Sequence, residues 1–424
     1  MFSIGWWLRM EQTQKEFKTI DDLQCEGKTV LVRVDINSVW IPETNKIEDN
    51  DRFKAHAETI KELANKKAKV VVIGHQGRAV DPDFTILEQH AEILSKHIRK
   101  KVKYVSDIFG KTAQNEIKKL QPGKIILLEN ARFLAEETTL TRNYEKTIFV
   151  RTLAPLCDAY VNDAFSAAHR AQTSLMGFPK LLPSYAGRTM EREYRAVAKV
   201  VKNIEHPNVY LVGGLKPEEV LSLMSYALEN KVVDHVLTSG VVGEMFLIAK
   251  GNNLGATEDW LKGEKFYEPN MPIIKELIQK FEQKIEVPSD FAFADDDGIR
   301  TEVPLQQLPR ITKPIFDVGS ATAKRYSDYV KQAKTVYVKG PLGKYEEPQY
   351  ELGTKIVFQA LEKTHAFVLM GGGHTLTAID KFGINRKKIG HISLAGGALS
   401  DMLQGKPLPA VEALKQPHEM QVQP

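Results

Sequence analysis

Four short apolar runs in the first half of the chain end in residues suited to gripping an anion. TVLVRV (29–34) leads to Asp35 and Asn37, and KVVVIG (69–74) leads to His75, Gly77 and Arg78. KIILL (124–128) leads to Glu129, Asn130 and Arg132, and AYV (159–161) to Asn162 and Asp163, with His169 and Arg170 just beyond. Arginine holds carboxylate and phosphate through paired N–H donors. Any one of these residues is explained by a polar loop starting where a strand stops. Arginines and amides from four of the first-half strands predict a site for a small, multiply charged anion.

The second half carries a different set. VGGLKP (212–217), GVVGE (240–244), DVGS (317–320), KGPLG (339–343), GGGHT (371–375) and LAGGA (394–398) each lie at or near the end of an apolar run. Several of them open helical patterns, where free N–H groups and the positive dipole end attract phosphate. Glycine also ends strands for conformational reasons alone, so the signal lies in the set. Together these segments predict a nucleotide site without a phosphate loop of the GxxxxGK[ST] kind. GKT occurs at 27–29 and 110–112, but neither has the glycine five residues ahead that such a loop needs. No zinc spacing, HExxH, GxSxG, GxGxxG or protein-kinase signature is present.

Elements that would position these residues follow from apolar periodicity. Strands are expected at 29–34, 69–74, 102–105, 124–128 and 159–161, and again at 209–212, 235–238, 314–318, 335–338, 366–370 and 391–394. Amphipathic stretches near 51–66, 85–99, 111–119 and 143–155 alternate with the first set. Alternation of this kind predicts βαβ units and parallel sheets, and ligands then bind beyond the carboxyl ends of the strands. Between the halves, Met190, Tyr194, Val197 and Val201 share one helical face, so 187–203 reads as a connector helix. Its Glu191 and Glu193 read as solvated charges. The fold class is therefore α/β, two doubly wound, Rossmann-like parallel-sheet domains joined by a helix. The boundaries are an extension over 1–16, a first domain over 17–186, the connector over 187–203 and a second domain over 204–404, with the tail 405–424 packing back on the first.

Bulk composition agrees. The 424 residues exceed one ordinary core. With 42% hydrophobic and 26% charged residues the chain has the make-up of a soluble globular protein. A net charge of +4 suits anionic metabolites and lacks the basic stripes of a nucleic-acid binder. Two distant cysteines, Cys25 and Cys157, argue against a disulfide framework and for a reducing cytoplasm. The apolar patch in MFSIGWWLRM is too short to span a membrane, and Met10 is an alternative start.

The segments VLVRVDIN, DNDRFKAHAETI, GHQGRA, LLENARF, VNDAFSAAHRAQTS, GGLK, FDVGSATAKRYS, KGPLGKYE, GGGHT and HISLAGGAL resemble, in order, the signature segments of phosphoglycerate kinases, from about residue 17 to about 415. The departures resemble the archaeal branch. The resemblance implies reversible phosphoryl transfer between 1,3-bisphosphoglycerate and MgADP, giving 3-phosphoglycerate and MgATP, in glycolysis and gluconeogenesis. It assigns Asp35 and Asn37 to the glycerate hydroxyl. Arg78, Arg132 and Arg170, with His75, Gln76 and Gly77, would hold the non-transferring phosphate. Arg52 would face the carboxylate and the group in flight, and Lys216 the transferring phosphoryl from the nucleotide side. Gly213, Gly214, Gly340, Pro341 and Gly371, Gly372, Gly373, His374 and Thr375 would lie along the nucleotide, with Thr375 beginning a helix and Glu346 on the ribose. Glu193 and His391 would pair at a hinge, and Mg²⁺ would enter with ATP or ADP. Monomer and homodimer are both open, with no nucleic-acid or membrane partner.

Four positions depart from the family pattern. The metal-touching Asp of GGGDT is His374, a poor ligand for a hard ion, so no metal ligand is assigned there. It is expected either to bond a phosphate oxygen or to cap the helix. A second lysine, four residues after the first, is Val220, and Lys339 replaces Asn and partly restores the charge. The first glycine of the last glycine segment is Ala395. An active kinase is favoured over a binding protein that has lost catalysis, because Arg52 and Lys216 are both present. It is favoured over a kinase for a plain carboxylate because the arginine trio presupposes a remote phosphate.

Overall fold

A computed structural model describes residues 16–415. The extension with Met10 and the end of the tail lie outside that range. The chain divides into two compact units, one running up to Glu193 and taking in the segment from Pro407, the other Tyr194–Lys406. No helix among the described residues is long and apolar enough to cross a membrane.

Six parallel strands form the sheet of the first unit, in the order Val102–Val105, Ile125–Leu128, Lys69–Ile73, Thr29–Arg33, Ala159–Asn162, Ser184–Ala186. Alternate residues feed two cores. Val30, Val32, Val70, Val72, Ile125 and Leu127 pack on one side, and Leu31, Val71, Ile73, Ile126 and Leu128 on the other. Burial on both faces is why these strands are uninterrupted apolar runs, each such side chain contributing about 1.5–3 kcal/mol. Strand order reverses between Thr29–Arg33 and Ala159–Asn162, the place where a crevice opens at the carboxyl edge of such a sheet. The helix Pro409–Lys415 packs within this unit, with Ala410 N–H bonded to Ala168 O at 3.1 Å.

The second unit repeats the plan, in the order Ile285–Glu286, His235–Thr238, Asn208–Val212, Thr335–Lys339, Phe367–Gly371, His391–Ile392. Its reversal lies between Asn208–Val212 and Thr335–Lys339. A separate antiparallel sheet pairs Asp290–Ala294 with Arg300–Pro304 and with Asp317–Val318. The expected strand 314–318 therefore corrects to two residues in this small sheet. Pro314 has no N–H to give a ladder. The expected helix 143–155 breaks into a turn at Tyr144–Lys146, a short helix Ile148–Leu153 and a turn Ala154–Leu156, where Pro155 ends the helical bonding.

The helix between the sheets is Arg188–Val201, and the division into units falls inside it. Met190, Tyr194 and Val197 are buried along its expected face. Glu191 and Glu193 are not solvated as expected, being 8% and 2% exposed. A carboxylate this buried needs a partner, and Arg188 supplies one to Glu191 at 3.2 Å.

Candidate functional site

At the reversal point of the first sheet stands Asp35, buried one residue beyond Val34, whose N–H still bonds the neighbouring strand at Ile73 O (3.0 Å). Arg52 comes from the first turn of the helix Asp51–Asn65, which is capped by the Asn50 side chain accepting the Arg52 N–H at 3.0 Å. That position sends the guanidinium to Asp35 Oδ2 (3.1 Å) and Asn37 O (3.3 Å). Ser166 Oγ donates to the same carboxylate oxygen. Burial alone would raise the Asp35 carboxyl, but Arg52, the Ser166 hydroxyl and Arg33 together hold it well below the ordinary carboxylate range.

His75 is buried behind it. The Arg33 guanidinium, which can only donate, bonds His75 Nδ1 at 2.9 Å. The ring proton therefore sits on Nε2, 3.9 Å from Asp35 Oδ1. Burial, reinforced by Arg33, Arg132 and Arg170 against the pull of Asp35, keeps the imidazole neutral, its pKa well below the usual value. Arg33 is itself fully buried. Its Nε donates to Ser174 Oγ (2.8 Å), and Glu137 Oε1 lies 3.9 Å from Nη2. Ser174 donates to Glu137 through its N–H (2.8 Å) and its hydroxyl (2.7 Å). Burial lifts the Glu137 carboxyl above its ordinary range against these partners. Sequence reasoning missed this second layer. The available signal was Arg33 itself, an arginine inside the apolar run VLVRV, which a buried strand tolerates only with a partner.

The remaining residues expected here converge with one exception. Asn37 Oδ1 accepts the Gly77 N–H at 2.8 Å. Arg132 bonds Gly77 O through Nη1 and leaves its buried Nε without a partner. Burial, Arg170, Arg33 and Arg78 push its pKa down to about 10 despite Asp35. Arg170 is lowered in the same way, by burial and then by Arg78, Arg33 and Arg52 against Asp35. Burial is the first cause of both depressions, and neighbouring cations add to it against the pull of Asp35. Gln76 is the exception. It is wholly buried, and its amide is spent on Ser38, accepting from N–H at 2.9 Å and donating to C=O at 2.9 Å. It braces the loop and has no amide atom turned to a ligand.

In the second unit the glycine segments meet at the other reversal point. A Cβ on Gly213 would stand 2.3 Å from Pro341 O, and one on Gly340, whose φ is +83°, would stand 2.9 Å from Gly213 O. Only glycine lets these two loops touch backbone to backbone. By contrast nothing lies within 4 Å of a Cβ on Gly214 or Gly373, which leaves room over both. Gly373–Lys381, with Gly372 at its N-cap, and Pro217–Glu229, with exposed Lys216 at its N-cap, bring two helix N-termini to the second sheet's carboxyl edge. Thr375 is the third helical residue and does not begin the helix. Its hydroxyl accepts the Gly340 N–H (3.2 Å) and donates to Gly371 O (3.0 Å), joining the two segments. Both edges thus present groups that suit an anion, guanidinium groups on one and backbone N–H groups at helix N-termini on the other.

Residues 20–406 match the sequence profile of the family described as Phosphoglycerate kinase. A curated phosphoglycerate kinase of Methanothermobacter thermautotrophicus is 44% identical over 405 residues, 95% of this chain and 97% of that protein. One of Methanothermus fervidus is 42% identical over 404 residues, with the same shares. The crystal structure of a phosphoglycerate kinase from Pyrococcus horikoshii superposes with a TM-score of 0.82 at 37% identity, covering 94% of this chain and 98% of that one. The enzyme of Coxiella burnetii gives 0.80 at 30% identity with the same coverage. The chain belongs to the phosphoglycerate kinase family. It is accordingly a phosphotransferase of glycolysis on the two-domain parallel-sheet fold of that family.

The departures from the family pattern take on geometry. Val220 is wholly buried in the helix Pro217–Glu229, so a core side chain stands where the family has its second lysine. Lys339 does not stand free to restore that charge, because its Nζ is 2.8 Å from Glu219 Oε2. His374 does not cap the helix, a position held by Gly372. Its side chain is 82% exposed, with Nδ1 3.6 Å from Glu346 Oε1. Ala395 is buried. Among the described residues no three His, Cys, Asp or Glu side chains gather into a metal cage.

Glu193 is the last residue of the first unit, and half-buried His391 opens the edge strand of the second sheet. Each is placed within its own unit.

Proposed function

We propose that the first unit binds 3-phosphoglycerate, that the second binds MgATP or MgADP, and that the γ-phosphoryl passes reversibly between the acceptor carboxylate and the nucleotide. The crowding of Arg78, Arg132 and Arg170 around Asp35, with Arg132 Nε unpartnered, carries this reading. A remote phosphate answers that excess of cation, with Gly77 beside it and His75 and Gln76 as supports. Asp35 and Asn37 take the glycerate hydroxyl. Arg52, on the same carboxylate, is placed to neutralise the substrate carboxyl and the group in flight.

The acceptor oxygen is ionised at neutral pH, with an ordinary pKa near ~4, so attack on phosphorus needs no general base. The new bond joins the carboxylate oxygen to the γ-phosphorus. The bond broken is that between the γ-phosphorus and the β–γ bridging oxygen, and ADP leaves with the electron pair. What the protein supplies is alignment, charge neutralisation and exclusion of water. Lys216 would meet the transferring phosphoryl. Gly213, Gly214, Gly340, Pro341 and Gly371–Thr375 would line the nucleotide phosphates, and Glu346 the ribose. Mg²⁺ would neutralise the phosphate oxygens. Acceptor and donor sites on separate units require a closing motion, with Glu193 and His391 as the hinge pair. We place the enzyme in the cytoplasm.

The test is MgATP-dependent ADP release with 3-phosphoglycerate, with hydroxylamine trapping the acyl phosphate. Turnover is expected with 3-phosphoglycerate and not with glycerate. Equal rates with glycerate would overturn the phosphate assignment of the arginines.

A further inference from the structure

We propose that His56 is a positioning residue for the reaction, tying the acceptor loop at Asp35 to the N-terminus of the helix Arg188–Val201. One stripe of the helix Asp51–Asn65 carries Arg52, His56, Thr59 and Glu62, spaced four, three and three apart and so sharing a face. Arg52 reaches the Asp35 carboxylate, as described. One turn on, His56 is 2% exposed and its Nε2 accepts the Asp35 backbone N–H at 3.3 Å. An Nε2 that accepts places the ring proton on Nδ1, which donates to Asp163 Oδ2 at 2.7 Å. The other Asp163 oxygen accepts the Thr189 N–H at 2.8 Å and the Met190 N–H at 3.4 Å, which are among the first amides of Arg188–Val201.

The same stripe holds that helix end twice more. Thr59 Oγ1 accepts the Arg188 N–H at 2.9 Å, and Glu62 takes the Arg188 guanidinium at 2.8 Å on each oxygen. Asp163 is also fixed by contact, since a Cβ on the adjoining Gly187 would lie 2.2 Å from its Oδ1. The first amides of a helix have no partner within the helix, so whatever holds them sets where the helix starts. Here that is a continuous, buried line of bonds from the proposed substrate carboxylate and hydroxyl contacts to the segment in which the two units divide. His56 uses both ring nitrogens, on backbone of the acceptor loop and on the carboxylate that caps the connecting helix.

The inference rests on the acceptor-site reading above. In His56→Asn and His56→Gln, each of which keeps one of the two bonds, kcat with 3-phosphoglycerate is expected to fall about tenfold while KM for ATP stays within about twofold. In the wild-type protein 3-phosphoglycerate should slow hydrogen exchange at the Thr189 and Met190 amides, and both variants should lose that response. A wild-type kcat, a retained amide response, or no response in the wild-type protein overturns the proposal and leaves His56 as packing. If the histidine variants do not fold, Asp163→Asn, which alters the carboxylate joining His56 to the Thr189 and Met190 amides, is expected to show the same fall in kcat and the same lost amide response, and a wild-type result for either overturns the proposal. Failure of the wild-type protein to bind 3-phosphoglycerate in calorimetry would sink the acceptor-site reading instead.

Discussion

Arg132→Ala separates the two sites most sharply. Its Nη1 is already committed to Gly77 O, so the buried, unpartnered Nε and the second Nη remain for an anion. A hydrogen bond to a charged group contributes about 1.5–3 kcal/mol, and truncating one side of a desolvated charge pair costs about 2–5 kcal/mol. Arg132 is only partly buried, which puts the loss near the lower end, about 2–3 kcal/mol, or roughly a 30- to 150-fold rise in the acceptor Kd. The free protein should barely notice. Losing the bond to Gly77 O costs about 1 kcal/mol. Relief of the burial and cation crowding that together hold Arg132 down to about 10 returns a similar amount, about 1 kcal/mol once discounted for solvent screening. Calorimetric titration of 3-phosphoglycerate and of ADP at one ionic strength, with a thermal melt of each free protein, reads all three quantities. An equal loss for both ligands would refute the division of labour between the units. An unchanged acceptor Kd would mean Arg132 does not face the anion.

Two further predictions concern the second unit. Glu244 is buried in the helix Gly240–Ala249 with no hydrogen bond or ion pair among the described residues, and burial raises its pKa from 4.5 to about 8. The folded protein thus holds a proton the unfolded chain has released, and stability falls as pH rises from 4.5 toward 8. The loss is about 3 kcal/mol by pH 7. Urea unfolding should show Glu244→Gln gaining on the wild-type protein across that window, and parallel curves would refute it. His374→Asp should lower the Mg²⁺ concentration needed for turnover, because a carboxylate suits a hard ion better than imidazole does. An unchanged Mg²⁺ titration would make position 374 structural.

The parts of the fold that could be read from the sequence are those with a strong physical constraint behind them. The central strands are buried on both faces, so VLV, VVVI and IILL stand out as unbroken apolar runs. Ser184–Ala186 and Ile285–Glu286 are too short to carry such a pattern. Arg300–Pro304 is mostly uncovered, with only Val303 buried. At the acceptor edge, Arg78, Arg132 and Arg170 were visible because strand ends and arginine chemistry point the same way, whereas Arg52, in the first turn of a helix, was marked only by the family resemblance. Glu137 and His56 act through partners distant in sequence, and no local pattern marks them; Asp163 showed as a strand-end residue, but its partners His56, Thr189 and Met190 did not. Gln76, which the resemblance set beside the phosphate, shows the opposite limit, since its amide is turned to Ser38. Lys339 shows the same limit for charge. Its value as a phosphate contact depended on Glu219, which no reading of its own segment could place beside it.

Charge balance gives the strongest reason to prefer a phosphorylated acid over a plain carboxylate as the acceptor. Around Asp35 the first unit gathers Arg33, Arg52, Arg78, Arg132 and Arg170, five cations, against the two carboxylates Asp35 and Glu137. With both of these ionised, five less two leaves three uncompensated positive charges. A monocarboxylate would cancel one and leave the mutual depression of Arg132 and Arg170 largely in place. A carboxylate joined to a phosphate monoester brings about −2.5 to −3 at neutral pH and cancels the excess. The inner layer makes this possible without tying up the outer one. Arg33 is held by Glu137, Ser174 and His75, so it lends field to the site but no donor. Arg52 and Ser166 occupy one Asp35 oxygen, and Arg132 keeps its buried Nε for the ligand.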